Sequence, residues 1–245
     1  MMIVAVIPAR YGSTRLPAKP LADICGKPMI QWVYEKSKQS KLCNRVVVAT
    51  DDERVATAVR AFGGEVLMTS AEIQNGTDRM AAVARMIDGD IFVNVQGDEP
   101  LIDGETIDQA IRPVLQGEFE LSTLRVPLKS SEALLNRNVV KVIVDDRNRA
   151  LYFSRYPIPY SRVEPSEATP PFLSFQHVGI YVYRKETLLK VSALPSTDLE
   201  RAESLEQLRA MKAGIAIGVF ETEFESVGVD TPEDLEKVRR ILSHG

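Results

Sequence analysis

The stretch IVAVIPARYGSTRLPAKPL, residues 3–21, decides the fold class of this 245-residue chain. Its first five residues, IVAVI, are apolar and mostly β-branched, which is typical of a strand buried on both faces of a parallel sheet. The prolines in the remainder exclude a regular helix directly after this strand. The same loop carries three cationic side chains, Arg10, Arg15 and Lys19. The chain thus leaves a buried strand and at once spreads positive charge along a Pro-rich loop.

Apolar runs and helical stretches alternate along the first hundred residues. The runs are IVAVI (3–7), RVVVAT (45–50) and IFVNVQ (91–96), and the helical stretches are PMIQWVYEKSKQ (28–39) and DDERVATAVRAF (51–62), in which the helix begins at Asp52. This alternation predicts an α/β fold with a mostly parallel sheet and crossover helices.

Local signals place further helices along the chain. Thr77 and Asp103 are predicted N-caps of two helices, and Thr231, which precedes a proline, is the predicted N-cap of the last one. The pattern LERAESLEQLRAMKAG predicts one continuous helix over 199–214.

From about residue 119 the strand-like runs become closely spaced, at 119–128, 139–145, 150–160 and 177–184. This texture predicts a smaller β-rich excursion over 125–184, which extends the sheet in mixed or antiparallel fashion. Without a repeat or an obvious linker, we expect a single domain over 1–245.

The composition excludes several classes of partner. Thirty basic and thirty-four acidic residues leave a net charge of −4, so there is no bulk reason to expect nucleic acid or an anionic membrane as partner. No apolar segment is long enough for a membrane span. The two cysteines lack metal-ligand spacing and are expected to be reduced. We therefore expect a cytoplasmic protein.

The loop after the first strand is a candidate polyphosphate site. In an open α/β sheet, ligands bind beyond the carboxyl ends of the strands, where Arg10, Arg15 and Lys19 would project. Gly12 and Ser13 let the main chain approach an anion closely. The spacing is neither that of a P-loop nor that of a dinucleotide fingerprint. The alternative is a solvated basic loop on the rim.

Acidic residues follow two other apolar runs. Asp98 in NVQGDEP and Asp230 in VGVDTPED could together hold Mg²⁺, whose usual ligands are carboxylates, phosphates and water. Asp230 or Thr231 could instead only cap the last helix, and Glu99 could bind the metal or stabilise its loop. Cations for a polyphosphate and separated carboxylates for Mg²⁺ are the components of phosphoryl or nucleotidyl transfer.

These motifs make the chain similar to the CMP-Kdo synthetase (3-deoxy-manno-octulosonate cytidylyltransferase) family over essentially its whole length. The motifs are IPARYGSTRLPAKPL, NGTDRMA, VNVQGDEP, ALYFSR, HVGIYVYR, SLEQLR and GVDTPEDLE. The resemblance implies a three-layer, Rossmann-like nucleotide-diphospho-sugar transferase fold. It also implies Mg²⁺ as cofactor, CTP and Kdo as substrates, CMP-Kdo for lipopolysaccharide as product, and a homodimer that forms through residues 125–184.

The resemblance also implies roles for individual residues. The nucleotide would be bound by Pro8, Ala9, Arg10, Ser13, Arg15, Lys19, Gly76 and Arg79. The metal would be held by Asp98 and Asp230, and the catalytic residues would be Lys19, Arg15 and Asp98. The sugar would be bound by Gln96, Arg155, His177, Tyr181, Glu206 and Gln207.

Without the resemblance, the sugar-side residues have simpler interpretations. His177 and Tyr181 are four apart on a predicted strand and could form a hydrogen-bonded core pair. Glu206 and Gln207 could belong to a solvated helix face, and Arg155 could pair with a surface acid.

Three functional alternatives remain at this level. The enzyme could use 8-amino-8-deoxy-Kdo or another acid sugar, it could act on a sugar phosphate, or the chain could be a non-catalytic nucleotide or sugar sensor. A sensor would usually have lost a metal carboxylate, and both are present. The residues do not show whether a side chain acts as general base.

Overall fold

The computed structural model describes residues 1–12, 16–73, 75–160, 162, 173–225 and 227–243. The predicted phosphate-binding residues Ser13 and Arg15 lie outside the described residues. The strands are β1 (Ile3–Ala9), β2 (Asp23–Ile24), β3 (Lys27–Pro28), β4 (Arg45–Thr50), β5 (Val66–Met68), β6 (Ile91–Asn94), β7 (Leu121–Pro127), β8 (Lys141–Val144), β9 (Ala150–Ser154), β10 (Phe175–Arg184) and β11 (Gly218–Glu221). The α-helices are α1 (Met29–Ser37), α2 (Glu53–Ala61), α3 (Gly76–Met86), α4 (Gly104–Leu115), α5 (Ser131–Leu135), α6 (Lys185–Ala193), α7 (Asp198–Glu203), α8 (Gln207–Lys212) and α9 (Pro232–Ser243).

One mixed sheet organises the described residues, with the strand order β11-β7-β10-β6-β1-β4-β5. Strands β6, β1, β4 and β5 are parallel to one another, and β7 is parallel to β11. Strand β10 runs antiparallel between β6 and β7. The prediction of a mostly parallel α/β sheet is confirmed.

Two hydrophobic layers cover the two faces of this sheet, because β1 is apolar at every position and alternates its side chains between them. Ile3, Ala5 and Ile7 pack into the layer that contains residues of α1, α2 and α4. Val4 and Val6 pack into the layer that contains residues of α3, α6 and α8. The result is the expected three-layer arrangement.

The β-rich region is part of the main sheet as well as an extension of it. The hairpin β8–β9 attaches to the start of β10, and the later residues of β10 pair with β6 in the middle of the sheet. The register of β10 against β7 shifts between Val178 and Tyr181. The antiparallel character predicted for 125–184 therefore reaches the sheet centre.

Two local predictions are wrong. Asn75, and not Thr77, caps α3, because its side-chain oxygen accepts a hydrogen bond from the Asp78 amide at 2.7 Å. The predicted helix over 199–214 is two short helices, α7 and α8, which are separated at Ser204 in the left-handed conformation (φ 52°). The predicted starts at Asp103 and Thr231 agree with the caps of α4 and α9.

A third, smaller core attaches α9 beside the loop that follows β1. Leu235 and Val238 of α9 pack against Ile24 and Met29. The guanidinium of Arg239 also donates to the Asp23 carbonyl at 2.6 and 2.9 Å. The C-terminal helix is thereby fixed next to the carboxyl end of β1.

Candidate active site

A cavity of about 570 Å³ lies beyond the carboxyl ends of β1 and β6. Its walls come from the loop after β1, from the start of α3, from the loop after β6 and from the segment before α9. The lining residues are Pro8, Ala9, Arg10, Gly12, Lys19, Pro20, Asn75, Gly76, Arg79, Gln96, Gly97, Asp98 and Asp230. The predicted nucleotide and metal residues that the structure describes therefore line one cavity.

Gly97 allows two of these loops to meet. A Cβ atom at this position would lie 2.6 Å from the carbonyl oxygen of Pro8, which is closer than real Cβ contacts. A side chain here would push the two loops apart. The glycine of NVQGDEP thus brings Asp98 against the cationic loop.

Lys19 lies between the two predicted metal carboxylates. Its Nζ is 2.6 Å from Oδ2 of Asp98 and 2.8 Å from Oδ1 of Asp230. A main-chain hydrogen bond of 2.9 Å from the Val229 amide to the Asp98 carbonyl holds the two acidic segments together. Burial disfavours the charge on Lys19, but attraction and hydrogen bonds from Asp98 and Asp230 outweigh burial and raise the pKa of Lys19.

The alternative that Asp230 only caps α9 is settled by its neighbours. The hydroxyl of Thr231 accepts from the Asp234 amide at 3.2 Å, and the Asp234 carboxylate accepts from the amide of Thr231 at 2.9 Å. This reciprocal pair forms a capping box. The carboxylate of Asp230 is directed instead to Lys19.

Arg79 contributes buried positive charge to the same cavity. Its side chain is fully buried and donates to the Thr69 hydroxyl, to the Ile73 carbonyl at 3.0 Å and to Asp51 at 3.2 Å. Burial lowers the pKa of Arg79, the charge of Asp51 opposes that shift, and the positive charge of Arg10 adds to it. Two guanidinium groups of like charge at one cavity favour binding of an anion.

A second cavity, of about 190 Å³, adjoins the first and shares Gly76 and Gln96 with it. Its other lining residues are Thr77, Asn94, Tyr181, Tyr183, Ser204, Leu205, Glu206 and Gln207. Four predicted sugar-binding residues, Gln96, Tyr181, Glu206 and Gln207, therefore line a separate polar cavity beside the predicted nucleotide site. The break at Ser204, which the sequence did not predict, turns Glu206 and Gln207 towards this cavity.

Burial changes the acid–base behaviour of this smaller cavity. Burial raises the pKa of Glu206, hydrogen bonds from Thr77 oppose the shift, and the charge of Asp78 adds to it. Burial likewise raises the pKa of Tyr181, with smaller contributions from Tyr183 and Glu206. The tyrosines therefore remain neutral hydrogen-bonding groups at any physiological pH.

His177 and Arg155 are absent from the lining of both cavities. The ring of His177 packs against Tyr181, with centroids 5.3 Å apart, and its Nε2 lies 2.9 Å from the Thr123 hydroxyl. Arg155 donates to main-chain carbonyls, among them that of Glu203 at 2.7 Å and that of Ser204 at 3.4 Å. In this structure the two residues support the walls of the smaller cavity, and direct contact with a sugar stays a prediction.

Sequence reasoning missed several lining residues of the smaller cavity, among them the strand residues Asn94 and Tyr183. Alternate residues of a strand point to the same face of a sheet. Asn94 is two residues before Gln96, and Tyr183 is two residues after Tyr181, which were both predicted. The period of two could have identified both additional residues.

The paired carboxylates are compatible with a divalent cation. Both already share one positive group, the ammonium of Lys19, and carboxylate oxygens are preferred Mg²⁺ ligands. Among the described residues no group of three or more His, Cys, Asp or Glu side chains is placed to hold a metal. Substrate phosphates and water would have to complete the coordination, as is usual for Mg²⁺.

A cavity with cationic side chains and two acids, adjoined by a second, polar cavity at one sheet edge, has the organisation of a nucleotidyltransferase. The comparisons give the particular family. Residues 4–221 match the model of the cytidylyltransferase family. The chain belongs to this family.

Relatives and solved structures extend this assignment. The chain is 52% identical over 252 residues to the 3-deoxy-manno-octulosonate cytidylyltransferase of Trichlorobacter lovleyi, with all of both chains covered. It is 54% identical over 250 residues to the enzyme of the same name from Geobacter metallireducens, covering 99% of this chain and 98% of the relative. A solved structure of CMP:2-keto-3-deoxy-manno-octonic acid synthetase complexed with CTP matches with a TM-score of 0.93 and 47% identity, covering 100% of this chain and 99% of the other. A putative glucose-1-phosphate thymidylyltransferase from Bacillus anthracis shares the fold, with a TM-score of 0.66, 15% identity and coverage of 98% and 94%.

Proposed function

We propose that this enzyme transfers CMP from CTP to 3-deoxy-D-manno-octulosonate and releases pyrophosphate. The observation that carries the proposal is the meeting of Lys19, Asp98 and Asp230 at the edge of the larger cavity, beside a separate polar cavity. Relatives that match the whole chain bear the name of this activity, and the similar solved structure was determined with CTP. CMP-Kdo made in this way would serve lipopolysaccharide synthesis.

The reaction forms one bond and breaks another. The oxygen of the sugar's anomeric hydroxyl attacks the α-phosphorus of CTP. The bond from that phosphorus to the oxygen that bridges the α- and β-phosphates breaks, and pyrophosphate leaves. The hydroxyl proton passes to solvent water, so one proton is released for each pyrophosphate. Because negative charge grows on the leaving oxygen, cationic groups fixed beside the phosphates accelerate the reaction.

The larger cavity supplies these cationic groups. Arg10 and Lys19 line it and would contact the triphosphate, while the buried Arg79 would fix the wall near the cytosine. Lys19 is pre-positioned by its two carboxylate partners, so little side-chain entropy is lost when a phosphate binds. The smaller cavity would hold the sugar next to the α-phosphate, because Gly76 and Gln96 line both spaces.

Asp98 and Asp230 would hold Mg²⁺ together with the phosphates of CTP. The ion, when bound, supplies charge neutralisation and polarisation at the phosphate oxygens. Both carboxylates are partly exposed, with 33% and 44% of the side-chain surface accessible, so an arriving cation can reach them. Lys19 would then exchange one of its carboxylate partners for phosphate.

The proposal also includes a homodimer in the cytoplasm. Large apolar side chains are exposed within 125–184, namely Leu135, Leu151, Tyr156, Tyr160 and Leu173. A second copy of the chain would cover such a surface. Within the described residues, the helices are all too short or too polar to cross a membrane.

Pyrophosphate release tests the function directly. Purified enzyme with Mg²⁺ and CTP is expected to release pyrophosphate when Kdo is added, and not when the sugar is omitted. Parallel reactions with 8-amino-8-deoxy-Kdo and with a sugar phosphate separate the two enzymatic alternatives. Binding of CTP without any pyrophosphate release would support the sensor alternative and refute the proposal.

A further inference from the structure

The smaller cavity contains two buried amides with unused hydrogen-bonding atoms. Asn94 is 3% exposed and Gln207 is 6% exposed. Neither Oδ1 of Asn94 nor Nε2 of Gln207 has a hydrogen-bond partner among the described residues. A buried polar atom without a partner destabilises a fold, so such atoms are rare unless a ligand or water completes them.

Asn94 stands at the junction between the two cavities. It is the last residue of β6 and is flanked by Val6 of β1 and Tyr181 of β10. A Cβ atom at Gly76 would lie 3.3 Å from Nδ2 of Asn94, so the Asn94 amide packs closely against the glycine. Gly76 lines both cavities, so Asn94 lies where the two spaces adjoin.

The chemistry of the surrounding residues favours a hydroxyl as the missing partner. Glu206 already brings a carboxylate to the cavity, and its contact with the charge of Asp78 is unfavourable. A neutral amide avoids adding another negative charge. An acceptor on Asn94 and a donor on Gln207 together match a sugar hydroxyl, which both donates and accepts.

We propose that Asn94 binds the sugar substrate, with its side-chain oxygen accepting a hydrogen bond from a hydroxyl of the acceptor sugar. This inference rests on the proposed function, since it assigns a further residue to the same acceptor site. Asn94 would then help to set the preference for a polyhydroxylated acceptor. An acceptor that lacks the hydroxyl leaves the amide unpaired in a buried site and binds more weakly.

Thermal stability distinguishes a sugar-binding role of Asn94 from a purely structural one. If Asn94 only stabilised the fold, its replacement would lower the melting temperature and weaken the binding of both substrates. If its oxygen serves a ligand, an apolar side chain of similar size removes an unpaired polar atom. The fold then keeps or gains stability while the sugar site is damaged.

The test compares Asn94→Leu with wild-type enzyme in steady-state kinetics, with Kdo varied at saturating CTP and CTP varied at saturating Kdo. We expect the KM for Kdo to rise about tenfold, as loss of one hydrogen bond implies, and the KM for CTP to change less than about twofold. The melting temperature is expected to be equal to or above that of wild type. The rise in melting temperature that Kdo produces is expected to shrink.

Gln109→Met is the matched control, because the Gln109 side-chain oxygen also lacks a partner among the described residues but Gln109 lines a different surface groove. This control should keep the KM for Kdo.

If the leucine prevents folding, Asn94→Ala gives the same comparison without adding volume. An unchanged KM for Kdo in both Asn94 variants, or a lowered melting temperature with both KM values raised, would overturn the inference. Wild-type enzyme that releases no pyrophosphate with Kdo would instead remove the proposed function, and this inference with it.

Discussion

Lys19 is the residue at which the separate acidic segments of the site meet. The Nζ atom contacts carboxylates from residues 98 and 230, which are far apart in the chain. Because its pKa is raised, Lys19 stays protonated and neutralises these acids. In the proposed reaction, a cation or a phosphate would replace one of these contacts. The charge balance of the site would therefore change with each ligand that binds.

Removal of the Asp98 charge tests this balance. Asp98→Asn keeps the size of the side chain but removes its negative charge, so we expect turnover to fall about 10²-fold or more and its Mg²⁺ dependence to weaken. Single-turnover rates at several Mg²⁺ concentrations measure the effect. Asp88→Asn, at an exposed position outside both cavities, serves as control. A rate within about threefold of wild type would refute the metal role of Asp98.

His177 is a neutral residue that supports Tyr181. The Thr123 hydroxyl lies 2.6 Å from the Ile180 carbonyl and donates its hydrogen there, so Nε2–H of His177 donates to Thr123. Burial lowers the pKa of His177 to about 3. The unfolded chain binds a proton near pH 6.5 whereas the folded chain does not, so stability falls as the pH drops from about 6.5 towards about 3.

The pH dependence of stability tests this assignment. His177→Gln removes the titrating group. Between about pH 6 and about pH 4, the free energy of unfolding of the variant should therefore fall less steeply with decreasing pH than that of wild type, by up to about 1.4 kcal/mol per pH unit. Urea unfolding at a series of pH values measures the slope. Gln176→Asn, which changes a neighbouring residue of β10 but no titrating group, should keep the wild-type slope. Equal slopes for wild type and His177→Gln would contradict the prediction.

At the scale of elements, the break between α7 and α8 shapes the smaller cavity, the proposed sugar site. Ser204 adopts the left-handed conformation, and the two residues that follow Leu205, namely Glu206 and Gln207, line the cavity. Arg155 and Ser154, at the end of β9, hold this break through hydrogen bonds to Glu203 and Ser204. The geometry of the cavity thus depends on a contact between a strand and a helix end.

Arg155→Ala tests the role of that contact. Because the guanidinium fixes the carbonyls of Glu203 and Ser204, its loss should loosen the break, raise the KM for sugar about tenfold and leave the KM for CTP nearly unchanged. Arg149→Ala is the control, since the Arg149 side chain bonds to Asp145 within its own hairpin. A larger rise in the KM for CTP than in the KM for sugar would indicate that Arg155 supports the nucleotide cavity, and would contradict the prediction.

Elements with strong local signals were predictable, and those set by tertiary contacts were not. The continuous apolar pattern of β1 and the Thr231–Pro232 start of α9 act locally, so the sequence alone predicted both. The helix pattern over 199–214 continues through Ser204, where contacts from Arg155 override it. Asn94 was missed because the period of two that relates it to Gln96 places both on one face of the strand but does not by itself show that this face borders a cavity. Its importance depends on the cavity that the neighbouring strands enclose.

Within the described part of the chain, the core leaves an apolar surface around β9 uncovered. Strand β9 pairs with β8, and the amide of its first residue, Ala150, donates to the Ile217 carbonyl at 2.9 Å. Beyond Ala150, no other strand of the described residues pairs with its second edge. On this strand Leu151 is 51% exposed, and Tyr160 beyond it is 89% exposed. An open edge strand with apolar side chains promotes association between chains. The homodimer that we propose would use this edge.

Leu151→Asp tests the dimer at the scale of the whole molecule. A charge in the apolar contact should leave the fold intact, because Leu151 is largely exposed, but should shift the protein from dimer to the 27.2 kDa monomer. Light scattering at micromolar concentration measures the mass, and circular dichroism checks the fold. Ile241→Asp adds the same charge at an apolar position on α9, 44% exposed, and should remain dimeric. A monomeric wild-type protein, or equal dissociation of both variants, would exclude this edge as the interface.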